Sequence, residues 1–151
     1  MKIRRFQVNK LIRDKTTDLM RSHGMSFTER PMDTPEYLER LKDKLHEETL
    51  EAIHAKTIEE TLEELADLSE VMHALSTTLG LSMDQIETKR LAKKESRGGF
   101  EKRFFVDYVE GTSASYGTQY FLNNPSEYPE VTEEEPKTSP FPSSRGGRRL
   151  T

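Results

Sequence analysis

The chain has no cysteine among its 151 residues, which excludes disulfide staples, thiolate nucleophiles and thiolate metal sites. Long apolar runs are missing too. The basic opening at residues 1–6 is not followed by the apolar stretch of a secretory signal, and no segment approaches the roughly 20 apolar residues of a membrane span. These absences lead to the expectation of a cytoplasmic protein that makes no membrane contact. Apolar residues are scarce overall, at 32% hydrophobic against 33% charged. A composition this lean, in a length suited to one domain, fits a small helical unit that completes its core by association, so a homodimer or homotetramer is expected.

Proline is almost absent from the first 110 residues, where only Pro31 and Pro35 occur; the other five of the seven lie beyond Gly111. That shift divides the chain into a folded domain at residues 1–110 and a tail at 111–151. The tail has Ser/Thr-rich spacers and three consecutive glutamates at 133–135, a composition expected to be mostly disordered. Its aromatics, Tyr116, Tyr120, Phe121, Tyr128 and Phe141, leave room for docking on a neighbouring subunit. The basic cluster Arg145, Arg148 and Arg149 is too short to indicate nucleic-acid binding, and none is expected. Residues 104–109 read as a short strand or extended arm.

The folded part carries helix punctuation. A first helix is expected over 10–23, with Leu11, Ile12, Leu19 and Met20 apolar, Asn9 as its cap and Gly24 as its stop. Thr34 and Pro35 read as N-cap and first turn of a second helix over 35–54. Thr57 with Glu60, and Ser82 with Gln85, are capping boxes that open helices over 57–79 and 82–96, closed by Gly80 and Gly98. The expected fold is all-α, a bundle of four helices.

Charge is present in abundance and is segregated. Residues 35–67 hold eleven acids against four bases, whereas 1–15 hold six bases and one acid, and 89–103 seven and two. An acidic centre between basic ends suits a metal-bound polyphosphate, although the same pattern also serves as charge balance on an ordinary surface. Glu47, Glu48 and Glu51 fall at i, i+1 and i+4 on the second helix, within one arc of about 100°. Glu64 and Asp67, at i and i+3, share an edge of the third. If the two helices run antiparallel across their short joint at Ala55, Lys56 and Thr57, these acidic edges face each other.

The apolar pattern separates part of this acidic set from a merely solvated surface. Leu38, Leu41, Leu45 and Ala52 form a stripe at helical spacing, and Glu48 falls inside it. On the third helix Leu65, Leu68, Met72, Leu75 and Leu79 are the expected stripe, with Glu64 and Asp67 along its margin. Convergent buried carboxylates require cations or shared protons, and hard oxygens without thiols select Mg²⁺, Mn²⁺ or Ca²⁺. Glu60 is better explained by capping than by metal binding. His46, His54 and His73 lack the HxxxH spacing of a zinc site and read as packing or surface residues, while Met20, Met72 and Met83 read as core filler.

Glu47-Glu48-x-x-Glu51 followed, after twelve residues, by Glu64-x-x-Asp67 resembles the EExxE…ExxD signature of the all-α nucleotide pyrophosphohydrolases, the MazG-like superfamily. The run Asn9-Lys10-Leu11-Ile12-Arg13-Asp14-Lys15 resembles that group's NKLxRDK opening, and Lys93 with Arg97-Gly98-Gly99-Phe100 resembles its KxxxRGGF close. Together they are similar to the phosphoribosyl-ATP pyrophosphohydrolase-like or house-cleaning branch, over about residues 7 to 105.

The resemblance implies a Mg²⁺-dependent hydrolase, with Mn²⁺ as the alternative ion, that splits a nucleoside triphosphate into monophosphate and pyrophosphate. Glu47, Glu51, Glu64 and Asp67, with Glu48, would hold the metal. Glu48 would also position or deprotonate the water, since partial desolvation raises a carboxylate towards a useful pKa. Asn9, Lys10, Arg13, Lys93 and Arg97 would contact the nucleotide substrate. Two rival readings remain: phosphoribosyl-ATP as the substrate, or a helical oligomerisation module without turnover.

Overall fold

The computed structural model describes residues 2–131. Within them the chain is helical, in the order α1 (Thr16–Ser22), α2 (Thr34–His54), α3 (Ile58–Thr78), α4 (Met83–Arg97) and α5 (Tyr116–Leu122), with no strand among the described residues. The chain folds as two units, one ending at Gly98 and the other beginning at Gly99.

The helix starts follow side-chain chemistry. Asp33 caps α2, its carboxylate accepting the Glu36 backbone N–H at 2.9 Å. The cap therefore lies one residue before Thr34, because a carboxylate both satisfies a free N–H and favours the positive end of the helix. Thr57 accepts the Glu60 backbone N–H at 3.0 Å, and the Glu60 carboxylate accepts the backbone N–H of Lys56 at 2.6 Å. At α4 the box closes in both directions, with Gln85 N–H donating to Ser82 Oγ at 3.2 Å and Ser82 N–H to Gln85 Oε1 at 2.8 Å.

Two glycines end helices in the same way. Gly24 and Gly80 take left-handed φ values of 77° and 72°. That turn brings the Met25 N–H to the Met20 carbonyl and the Leu81 N–H to the Ser76 carbonyl, so carbonyls left over at each helix end are satisfied.

The first helix differs from expectation. Residues 2–13 are not helical, Asn9 caps nothing and instead adopts φ of 49°, and α1 begins only at Thr16. Local hydrogen bonding competes with helix here: the Arg13 carbonyl accepts the Thr16 N–H in a turn, and the Asp14 carbonyl accepts the Thr17 hydroxyl. Longer-range contacts reinforce it, because Leu11 and Ile12 are half-buried while Lys10 and Arg13 reach acids on α2 and α3.

The helices α2 and α3, each of 21 residues and roughly 31 Å long, pack along one another as a hairpin. On α2 the stripe is as expected: Leu41 is buried, and Leu38, Leu45 and Ala52 are half-buried. On α3 the packed face is Thr61, Glu64, Asp67, Leu68, Val71, Leu75 and Thr78, whereas Leu65, Met72 and Leu79 are exposed. The helix has two apolar edges, and α2 takes the one that includes Val71 and the acids. Neither α1 nor α4 packs extensively on the hairpin.

In the second unit, residues 104–109 form an exposed irregular stretch rather than a strand. The tail is also not structureless throughout. Ser115 caps α5 by accepting the Thr118 N–H at 3.2 Å, and Tyr120, Phe121 and Tyr128 gather with ring centroids 5.0–5.8 Å apart. Those aromatics give the segment an apolar cluster that its overall composition conceals. Phe141, the acidic run at 133–135 and the basic residues at 145–149 lie outside the described residues. Among the described residues, no helix is long and apolar enough to cross a membrane.

Candidate metal centre

The pairing of α2 with α3 brings five carboxylates together. Oxygens of Glu47, Glu48 and Glu51 lie within 4.8 Å of one another, and so do oxygens of Glu48, Glu64 and Asp67. Glu48 is common to both groups and is only 2% exposed. It occupies the middle of the α2 stripe, seven residues after the equally buried Leu41, which places it over the contact with α3.

Three cations of the chain already lie against these acids. Lys44 Nζ is 2.5 Å from Glu48 Oε1 and 3.1 Å from Glu47 Oε1, and Lys10 Nζ is 2.9 Å from Glu47 Oε1. Arg13 pairs with Asp67. The second oxygens of Glu48 and Glu64 are buried and have no hydrogen-bond partner. With all five carboxylates ionised against three cations, two negative charges remain, which one divalent cation would balance.

The local electrostatics follow from this arrangement. The Glu64 carboxyl is held above the usual range, first by loss of solvent and then by the neighbouring Glu51, Glu48 and Asp67. Glu47 is held low, chiefly by its hydrogen bond from Lys10, against the opposing effect of desolvation. For Lys44, burial pulls the ammonium pKa down, but hydrogen bonds to Glu48 and Glu47 outweigh burial and raise it.

Of the residues expected to touch substrate, Lys10 and Arg13 reach the acidic cluster. Asn9 is exposed, and no hydrogen bond or ion pair links Asn9, Lys93 or Arg97 to the acids among the described residues. Lys93 and Arg97 stand on the exposed C-terminal half of α4. Lys44 is a site residue that sequence reasoning missed. Its signal was present, since a lysine three and four residues before Glu47 and Glu48 faces both on a helix.

The donor set fits a hard divalent cation: all oxygen, clustered, partly desolvated, and with two carboxylate oxygens unpartnered. No family model matches the chain, and no curated protein or solved structure does either.

Proposed function

We propose that the protein is a Mg²⁺-dependent nucleotide pyrophosphohydrolase that converts a nucleoside triphosphate to the monophosphate and pyrophosphate. The observation carrying this reading is the pair of buried, unpartnered oxygens on Glu48 and Glu64 where two acidic groups overlap. An orphaned buried oxygen is costly, and a cation or a transferred proton relieves that cost.

Glu47, Glu51, Glu64 and Asp67, joined by Glu48, are the residues that would hold Mg²⁺, with Mn²⁺ as the alternative. Bound there, the ion would acidify water and neutralise charge on the phosphoryl group. Glu48 Oε1 is occupied by Lys44, which leaves Oε2 to take the proton as water attacks the α-phosphorus and the bond to the leaving pyrophosphate breaks. Lys10 and Arg13 are more than half exposed, so their ion pairs are worth only about 0–1 kcal/mol and exchange readily for phosphate oxygens. Lys93 and Arg97 add exposed positive charge for the same substrate. The working form is a homodimer or homotetramer in which helices of several copies close a four-helix bundle.

The test is pyrophosphate release with Mg²⁺ or Mn²⁺ against a panel of ribo- and deoxyribonucleoside triphosphates and phosphoribosyl-ATP. Release from the triphosphates supports the proposal. Release from phosphoribosyl-ATP alone transfers it to the biosynthetic substrate. No release from any of them refutes the hydrolase and leaves the acids as a charge-balanced module, the reading favoured by the three cations of the chain already paired with them.

A further inference from the structure

We infer that the Lys44 ammonium fills a second cation seat in the acidic cluster, between Glu47 and Glu48, so that the centre takes one divalent ion per chain and Lys44 stands in for another. This rests on the metal centre of the reading above and refines it: Glu47 serves that centre through Lys44, while the ion goes to Glu48, Glu64 and Asp67, with Glu51.

Two acidic groups that overlap at Glu48 offer places for two cations, as in sites where a pair of metals works side by side. The chain fills them unequally. In the group of Glu47, Glu48 and Glu51, Lys44 Nζ bridges two carboxylates, 3.1 Å from Glu47 Oε1 and 2.5 Å from Glu48 Oε1. An ammonium is a compact charge with three donors, so it can bridge oxygens that a metal would otherwise share. Lys44 reaches them from three and four positions away on the same helix and is only 23% exposed, so it is held in place by local geometry. In the group of Glu48, Glu64 and Asp67, no cation among the described residues bridges two acids. Arg13 meets Asp67 alone, from 54 positions away and from an exposed segment. The two buried oxygens without a hydrogen-bond partner, Glu48 Oε2 and Glu64 Oε2, both belong to residues of this group. An ion there satisfies both and leaves Lys44 on the other oxygen of Glu48.

Charge limits the number of ions as well. With the five carboxylates ionised and Lys44, Lys10 and Arg13 in place, one divalent ion makes the cluster neutral, and a second would leave it positive. A second ion between Glu47 and Glu48 would also sit against the Lys44 ammonium, where like charges repel. Without Lys44, three negative charges remain, more than one divalent ion neutralises. Glu47 and Glu48 then lose the cation that bridges them, and their place in the cluster opens to metal.

Calorimetric titration of the full-length chain with Mn²⁺ counts the ions, and electron paramagnetic resonance shows whether two of them share a ligand. Wild type should bind one Mn²⁺ per chain, with an uncoupled signal. Lys44→Met and Lys44→Gln should each bind two, with the spin coupling of a carboxylate-bridged pair, and Lys44→Arg should return to one. Lys10→Gln should stay at one, because Lys10 touches Glu47 and bridges nothing. All four variants should keep the wild-type helical signal. Two coupled ions in wild type, or a single ion still in both Lys44→Met and Lys44→Gln, would overturn the inference and leave the hydrolase untouched. No Mn²⁺ bound by wild type would remove the metal centre itself, and this inference with it. One bound ion without pyrophosphate release would refute the hydrolase and leave the inference standing.

Discussion

Lys44 Nζ lies 2.5 Å from Glu48 Oε1, one helical turn away on α2, and this contact accompanies the most deeply buried carboxylate among the described residues. A buried anion with one cation on one oxygen and nothing on the other is half-satisfied. Lys44→Met should therefore lower the stability of the metal-free protein by about 1–3 kcal/mol, the cost of leaving a buried group without its partner. It should also enlarge the rise in melting temperature on adding Mg²⁺, because the cluster would hold one more uncompensated negative charge. Thermal melts in EDTA and in Mg²⁺ decide this. A variant that melts like wild type in both would reduce the pair to a surface contact.

Much of the scaffold around that pair was legible from local signals. The residues at Thr57, Ser82, Gly24 and Gly80 act through hydrogen bonds within a few positions of themselves, and α2, α3 and α4 end close to where those signals place them. The inward aim of Glu48 followed from its place in the α2 stripe. What was not legible depends on distant partners. Residues 10–13 forgo helix because Lys10 and Arg13 find acids 37 and 54 positions away. The expected α3 stripe is right at Leu68 and Leu75, which are half-buried, but not at the exposed Leu65, Met72 and Leu79, because packing on α2 takes the edge with Val71 and Thr61.

Glu64 sets a pH dependence. Its folded-state pKa lies above the ordinary 4.5, so the stability it contributes is complete below about pH 4.5 and is lost as pH rises through the raised value. Glu47 is shifted the other way, and its contribution is present above the ordinary value and is lost as pH falls through the lowered one. In EDTA, Glu64→Gln should be more stable than wild type at pH 7 and nearly equal to it at pH 4. Urea unfolding at the two pH values measures this. A variant less stable at pH 7 would mean that the Glu64 carboxylate has a favourable partner.

Lys10 and Arg13 neutralise Glu47 and Asp67 from an exposed segment, so they compete with any cation for the same oxygens. Replacing both with glutamine should strengthen Mg²⁺ binding several-fold, read by calorimetry. Under the proposed reaction it should also raise KM for the nucleotide, because two phosphate contacts are lost. Unchanged Mg²⁺ affinity would show that the acidic oxygens are not a common binding place for the ion and these two side chains.

The sharpest test of the centre compares two acids on one helix. Asp67 shares its group with Glu48 and Glu64, whereas Glu60 spends its carboxylate on the Lys56 backbone N–H. Asp67→Asn keeps the shape and removes one ligand charge, so Mg²⁺-dependent turnover should fall by orders of magnitude. Glu51→Gln should behave the same way. Without metal, both variants should be as stable as wild type or more so, since each relieves repulsion among the carboxylates. Glu60→Gln should leave turnover nearly untouched, because glutamine still accepts at the cap. Wild type should melt higher in Mg²⁺ than in EDTA through binding linkage, and Asp67→Asn should gain less. If Asp67→Asn and Glu60→Gln are equally active, or Mg²⁺ does not move the wild-type melt, the carboxylates are held together only by Lys10, Arg13 and Lys44, and the centre is a salt-bridge network.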